Sequence, residues 1–258
     1  MRLWSCLHPA SLAVALLVGC ATPPPVIVAT PTAAEALATG QAALQRGDTD
    51  AGVAALRIAA AQGNVEAELQ LGILYGAGDG VAADNAEALM WLTKASATGN
   101  ARAEYQVGRL YERGGMGVNQ SRASALDWYN RAAAHGSREA QYQAGSLYAS
   151  ARGDQPEDYP RALALYRQAA AGGYPPAQRA LAGFYAQGRG VPPNSATALQ
   201  WYRRAAAGGD AEAMASIGDM YLRGDGVPVN TAEAARWLQR AAAAGSTTAQ
   251  QRLSAPSF

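Results

Sequence analysis

The stretch "LGILYGAGDGV" at residues 71–81 returns as "IGDMYLRGDGV" at 217–227. A fixed internal period constrains a chain more than any local motif does. Each period must be one supersecondary unit that buries its apolar face against its neighbours. A second segment, "ALMWLTKASATGN" at 88–100, returns as "ALDWYNRAAAHGS" at 125–137, "ALQWYRRAAAGGD" at 198–210 and "AARWLQRAAAAGS" at 234–246. The segment "ALALYRQAAAGGY" at 162–174 is the same with Leu165 in place of Trp. Three columns follow. A Trp column runs Trp91, Trp128, Leu165, Trp201, Trp237, at spacings of 37, 37, 36 and 36. A Tyr column runs Tyr75, Tyr111, Tyr148, Tyr185, Tyr221, and a Gly column three residues earlier runs Gly72, Gly108, Gly145, Ala182, Gly218.

Each unit resolves into two helices. Seven residues before each Trp-column position stands Asp84, Ser121, Asp158, Asn194 or Asn230. All are N-cap residues, whose side chains accept from the unpaired N–H groups of a first helical turn. Glu87 and Glu233, three residues after their caps, complete capping-box patterns. Nine residues after the Trp column lies a second cap column, Asn100, Ser137, Tyr174, Asp210 and Ser246. Tyr174 is the poor cap there, and Pro175 behind it suits a first turn. The first helix of each unit carries the Gly and Tyr columns and the second carries the Trp column. A mid-helix Gly costs about 1 kcal/mol against Ala, so the Gly column implies close helix approach. The Trp rings are expected to be buried between neighbouring pairs, with truncation to Ala costing about 3–5 kcal/mol. The "GDG" and "GRG" loops suit left-handed turn positions.

The amino terminus reads "MRLWSCLHPASLAVALLVGC". The apolar stretch from Ala10 to Val18 is too short to span a bilayer and right for a secretory signal. Leu17-Val18-Gly19-Cys20 resembles the bacterial lipoprotein box. That resemblance implies cleavage before Cys20 and acylation of its thiol, and Ala21 at the next position implies sorting to the outer membrane, most simply its periplasmic face. Two or more acyl chains hold by burial worth about 0.8 kcal/mol per CH₂. The mature chain would then have 20 basic and 20 acidic residues, no free thiol and one histidine, His135. "ATPPPVIVATP" at 21–31 holds four prolines and reads as a semi-rigid tether, roughly 35 Å long at about 3.1 Å per residue.

The repeats resemble the Sel-1-like repeat (SLR) family, a relative of the tetratricopeptide repeat. Its marks are A-x-x-x-L-G-x-x-Y, then G-x-G-V, then A-x-x-W-x-x-x-A-A-x-x-G. The resemblance implies an all-α fold: an α-solenoid, or superhelix, of about six antiparallel helix pairs plus a C-terminal capping helix. The expected divisions are a signal peptide at 1–19, an acylated Cys and tether at 20–31, and a tetratricopeptide-like pair at 32–63. Five repeats follow at 64–99, 100–136, 137–173, 174–209 and 210–245, and a capping helix and tail at 246–258. The unit at 137–173 departs: its loop "SARGDQPEDYP" at 150–160 lacks G-x-G-V.

The chemical inventory points away from catalysis. His135 sits before Gly136 at a helix end, where a cation is favoured by the helix dipole. It has no second histidine for a metal site. "GDG" lacks the ligand ladder of a calcium loop, and "GRGVPPNSAT" lacks the Lys-Ser/Thr of a phosphate loop. No basic block suits nucleic acid, and no cofactor or metal is expected. The β-lactam-linked branch of the family carries cysteine pairs that this chain lacks. What remains is surface. In the tetratricopeptide class the first helices line a concave face. Positions three before and one after the Gly column lie one turn apart and pair Tyr105 with Arg109, Tyr142 with Ser146, Arg179 with Gly183 and Ala215 with Asp219. Glu112, Arg113 and Arg223 lie one turn on. Tyr and Arg are frequent binding anchors. The candidate partner-binding face is therefore Tyr105, Arg109, Glu112, Arg113, Tyr142, Arg179, Asp219 and Arg223. The expected role is a lipid-anchored periplasmic scaffold or adaptor that binds protein, with polysaccharide export as the analogy within the family. The alternatives are a cell-wall or β-lactam binder or hydrolase, and an immunity or virulence factor.

Overall fold

The computed structural model describes residues 30–151 and 156–254. The signal, Cys20 and most of the Pro-rich segment lie outside these, as do residues 152–155 of the divergent loop and the last four residues. Thirteen α-helices and no strand occur among the described residues, with one isolated bridge between Gly115 and Val118. They pair in chain order. The first pair is α1 (Ala33–Gln45) with α2 (Thr49–Ala61), followed by α3 (Val65–Ala77) with α4 (Asn85–Ser96) and α5 (Ala101–Arg113) with α6 (Arg122–Ala134). Then come α7 (Arg138–Tyr148) with α8 (Tyr159–Ala171), α9 (Pro175–Gln187) with α10 (Ser195–Ala207), and α11 (Ala211–Arg223) with α12 (Thr231–Ala243). A final α13 (Thr247–Ser254) packs on α11 and α12. The fold is the all-α solenoid of six helix pairs and a terminal helix that the repeats imply.

Local chemistry sets the helix ends. The side chains of Asp84, Ser121, Asp158, Asn194 and Asn230 each accept from a first-turn N–H, as do Asn100, Ser137 and Asp210. Ser246 does the same for Ala249 at 3.1 Å. Tyr174 makes no side-chain cap, and Pro175 opens α9. The capping boxes expected at Glu87 and Glu233 do not form. Glu87 instead accepts from the Trp91 indole at 3.0 Å and from Arg57 at 2.6 Å, and Glu233 pairs with Arg236 at 3.1 Å. The caps' own backbone N–H groups are already engaged, Asp84 donating to the Tyr75 carbonyl and Asn230 to the Tyr221 carbonyl, both at 2.9 Å. A capping box does form at Thr32 and Glu35, opening α1. In the G-x-G loops, Gly78 with Gly80 and Gly224 with Gly226 have φ between 70° and 78°, where a Cβ would be strained.

The Gly column performs the close approach its cost implies. A Cβ added at Gly72 would lie 2.4 Å from Leu92 Cγ, and one at Gly108 would lie 2.6 Å from the Tyr129 ring. Gly145 meets Tyr166 and Gly218 meets Leu238 in the same way. The knob that fills each Gly seat is therefore the residue after the Trp column, and Leu92, Tyr129 and Leu238 are at most 1% exposed.

The Trp column itself is only half-buried, which corrects the expectation of fully buried wedges. Each ring does sit between pairs, packing on the core of the preceding unit, and Leu165 takes the equivalent seat on the core around Ala125 and Tyr129. The outer face of each indole is covered by a cation three residues on: Lys94, Arg131, Arg204 and Arg240 lie 5.3, 4.3, 4.4 and 5.3 Å from their ring centroids. The i, i+3 spacing places them on one helix face, and the ring quadrupole attracts the charge. Where Trp gives way to Leu165 the cation gives way to Gln168.

Two polar seams join successive pairs. Arg57, Asn130, Arg167 and Arg203 on second helices donate to the hydroxyls of Tyr75, Tyr148, Tyr185 and Tyr221 on the next first helices, at 2.9 to 3.2 Å. A column four residues before the Gly column, Glu68, Glu104, Gln141 and Gln178, is buried. The amides of Gln141 and Gln178 donate to Ala133 and Ala170, satisfying carbonyls at the end of the preceding second helix. Glu68 holds Lys94 at 3.0 Å while Lys94 donates to Ala60 of α2. Glu104 faces His135 Nδ1 at 2.7 Å, so His135, the C-cap residue of α6, also staples α6 to α5.

Candidate functional site

Among the described residues, the first helices α3 and α5 touch, as do α11 and α13, whereas successive second helices touch less. In the tetratricopeptide arrangement that these repeats resemble, first helices line the inner, concave side of the curve and second helices the outer, convex side. On the concave side a cleft of about 430 Å³ crosses α7, α9 and α11. Ser146, Ser150, Arg179, Gly183, Ser216 and Glu212 line it, with Phe184 and the rings of Tyr166 and Tyr202 behind them. A smaller recess of about 190 Å³ shares Tyr202 and Ser216 and continues to Asp219, Arg223 and Asp225.

The lining combines two sources. Positions beside the Gly column, such as Ser146, Gly183 and Asp219, differ from unit to unit because the repeat's packing does not use them. Phenols arrive from the second helices. Tyr129, Tyr166 and Tyr202 occupy the position after the Trp column, flanked by Leu92 and Leu238 at either end of the array. Each passes the small Gly-column residue and brings a hydroxyl toward the concave side. The Tyr129 hydroxyl donates to Glu112 at 2.5 Å, Tyr166 lies beside Ser146, and the Tyr202 hydroxyl would stand 3.7 Å from a Cβ at Gly183. This column was legible as "WY", "LY" and "WY" between two "WL" pairs. Variation among first-helix positions does not reveal it, because its residues sit on the other helix.

The eight candidate residues fall into four groups. Arg179 reaches the large cleft and pairs with Asp210 at 3.0 Å. Asp219 and Arg223 line the adjoining recess, where Arg223 bridges Asp225 at 2.7 Å and Asp219 also meets Arg252 of α13 at 3.3 Å. Arg109 and Arg113 border a shallow depression between α3 and α5 with Ile73 and Gln106. Tyr105, Tyr142 and Glu112 do not line these depressions. Tyr105 packs on Tyr129 and under Arg109, with the Tyr129 centroid at 5.7 Å. Tyr142 sits between Tyr166 and Tyr174 at 5.8 and 5.7 Å, and Glu112 accepts from Tyr129. Their rings and carboxylate brace the phenol column from the concave side.

Burial pushes the Tyr166 phenol up to about 12, and burial together with the Glu112 carboxylate raises Tyr129 as well. The fold prefers both phenols neutral. Their contribution to stability is whole below the ordinary phenol value near 10 and is lost as pH rises through the folded-state value. For Tyr166 that loss is about 2–3 kcal/mol between roughly pH 10 and 12. Denaturant unfolding across this range should show the fall, and Tyr166→Phe should reduce its slope while the Tyr129 share remains.

No group of three or more His, Cys, Asp or Glu that could hold a metal gathers among the described residues, and none of their helices is long and apolar enough to cross a membrane. The Sel1 repeat model matches residues 65–100, 101–137, 138–174, 175–210 and 211–246. The chain belongs to the Sel1 repeat family. Sel1 repeats build non-catalytic scaffolds for protein–protein interaction. Among solved structures, a protective antigen present in uropathogenic Escherichia coli strains, with the SLR fold, is 33% identical with a TM-score of 0.77. The match covers 86% of this chain and 48% of the antigen, so the chain spans about half the antigen's length. A Sel1 repeat protein from Oxalobacter formigenes is 31% identical at a TM-score of 0.75, over 84% of this chain and 86% of that one. An immunity protein from Pseudomonas aeruginosa shares the fold at 20% identity and a TM-score of 0.51, over 85% and 84% of the two chains. No curated protein matches the chain.

Proposed function

We propose that this Sel1 protein is a lipid-anchored adaptor of the bacterial outer membrane, facing the periplasm, that holds a protein partner in the concave cleft of α7, α9 and α11. The observation that carries the reading is the cleft itself. It crosses three successive first helices and is lined by side chains that solenoid packing leaves free to vary, backed by aromatic rings. An aromatic floor with a polar, partly charged rim is the anatomy of a protein-binding hot spot. The lipoprotein box ending at Cys20 supports the location. The assembly served is proposed to be one of envelope polysaccharide export; partner identity separates that role from immunity or virulence.

Gly183 provides the test. A Cβ there would meet nothing closer than the Tyr202 hydroxyl at 3.7 Å, so Gly183→Leu fills the cleft without disturbing α9. In crosslinked envelopes the full-length chain should capture a defined protein, and Gly183→Leu should reduce that capture about tenfold, as blocking a hot spot does. Equal capture by both, or none above an unrelated lipid-anchored control, overturns the reading. In the same envelopes Cys20→Ser should leave uncleaved precursor that takes up no palmitate; unchanged labelling refutes the anchor.

A further inference from the structure

The convex side is electrically lopsided. The second helices α2, α4 and α6 are close to balanced, with Arg57, Lys94, Arg122 and Arg131 against Asp50, Glu87 and Asp127. The second helices α8, α10 and α12 carry six arginines and one glutamate, in a chain whose formal net charge is only +1. Arg161 and Arg236 are neutralised locally by Asp158 and Glu233. Arg167, Arg203, Arg204 and Arg240 are exposed, and among the described residues none of them pairs with a carboxylate.

These four are nonetheless held in place. Arg167 and Arg203 donate to Tyr185 and Tyr221, and Arg204 and Arg240 lie over the Trp201 and Trp237 rings. A phenol acceptor or an indole face steadies a guanidinium without cancelling its charge. The entropy of ordering these long side chains is thus already spent before any partner arrives. The residues also repeat in sequence: Arg203, Trp237 and Arg240 stand 36 residues after Arg167, Trp201 and Arg204. Around Trp237 a cleft of about 560 Å³ opens where α10 and α12 meet α11, with Ala207, Ala243, Met214 of α11 and Trp237 between Arg203 and Arg240.

We infer that this convex cleft docks an acidic protein segment, with an apolar side chain seated against Trp237 and Met214 and flanking carboxylates on Arg203 and Arg240. Charge complementarity selects the acidic partner, because the site presents fixed guanidinium forks that match carboxylates. The recessed apolar floor selects a protein segment over a lipid surface, since a bilayer is gripped by projecting apolar groups. Met214 lies on the side of α11 turned away from Glu212 and Ser216 of the concave cleft, so the protein would join two partners rather than hold one.

The probe is a fluorescein-labelled synthetic peptide with one leucine flanked on both sides by glutamates, titrated against the full chain in detergent and followed by polarisation. The same peptide with glutamines or lysines in place of the glutamates serves as comparison. The acidic peptide should bind, weaken with salt, and lose about tenfold in affinity with Arg203→Glu or Arg240→Glu, the scale of one charge pair. Arg46→Glu, the same charge change at the far end of the array, should leave binding unaltered. Ala243→Gln, an exposed helical position on the cleft wall, should weaken binding by filling the floor while helicity is retained. The inference is overturned if the acidic peptide does not bind, if the glutamine or lysine peptide binds equally well, or if Arg46→Glu weakens binding as much as Arg203→Glu. It is equally overturned if phosphatidylglycerol vesicles bind in an Arg203- and Arg240-dependent way and displace the peptide.

Discussion

Tyr129→Ala is expected to destabilise the α5–α6 pair by about 3–5 kcal/mol, more than truncation of the motif tryptophan beside it. The Tyr129 ring is fully buried, fills the seat left by Gly108, and ends in a hydroxyl donating to Glu112 at 2.5 Å. Its removal leaves a cavity and a carboxylate without its donor. Trp128 is half-buried, and its outer face already carries the Arg131 guanidinium at 4.3 Å. Trp128→Ala should cost about 2 kcal/mol, partial burial plus a cation–π contact. Repeat arrays open locally, so the measurement is native-state hydrogen exchange at the amides of α5 and α6. If Trp128→Ala loosens these amides more than Tyr129→Ala does, the assignment of the main knob to the position after Trp is wrong.

Gly72→Ala tests the opposite side of the same contact. Helix propensity alone would favour the alanine by about 1 kcal/mol. The new methyl, however, would lie 2.4 Å from Leu92 Cγ and 3.2 Å from the Ala88 carbonyl oxygen, and neither can yield without moving α4. Overpacking of this kind costs about 1–3 kcal/mol. Leu92→Ala alone, at a side chain 1% exposed, should cost about 2–5 kcal/mol. The double variant should be less destabilised than the two single losses added together, by about 0.5–3 kcal/mol, because each change relieves the other. Strict additivity in hydrogen exchange at α3 and α4 would show that the two residues do not share one seat.

Ala182 stands where the other units have Gly, and it sharpens the point. Its methyl occupies room that Gly108 and Gly145 leave to the Tyr129 and Tyr166 rings, and Tyr202, its counterpart, is correspondingly less buried. That shallower ring forms part of the wall of the concave cleft. A change written in the packing column thus shows up in the shape of the candidate site.

What the amino-acid sequence determined by itself is the architecture: the period, the paired helices and their caps, and the glycine turns. These depend on contacts within a few residues or on a pattern repeated every 36 or 37, so they are readable without coordinates. Only the tertiary structure decided which aromatic is the core knob, because Trp128 and Tyr129 differ in burial through what the neighbouring helices place against them. It also decided the fate of the charges. Glu87 lies where a capping box would use it, yet Arg57, thirty residues earlier, claims it. Arg203 and Arg240 became walls of one cleft because the solenoid sets α10 and α12 side by side. Partner choice among charges acts over distances that chain order does not encode, and the curve of the stack brings those residues together.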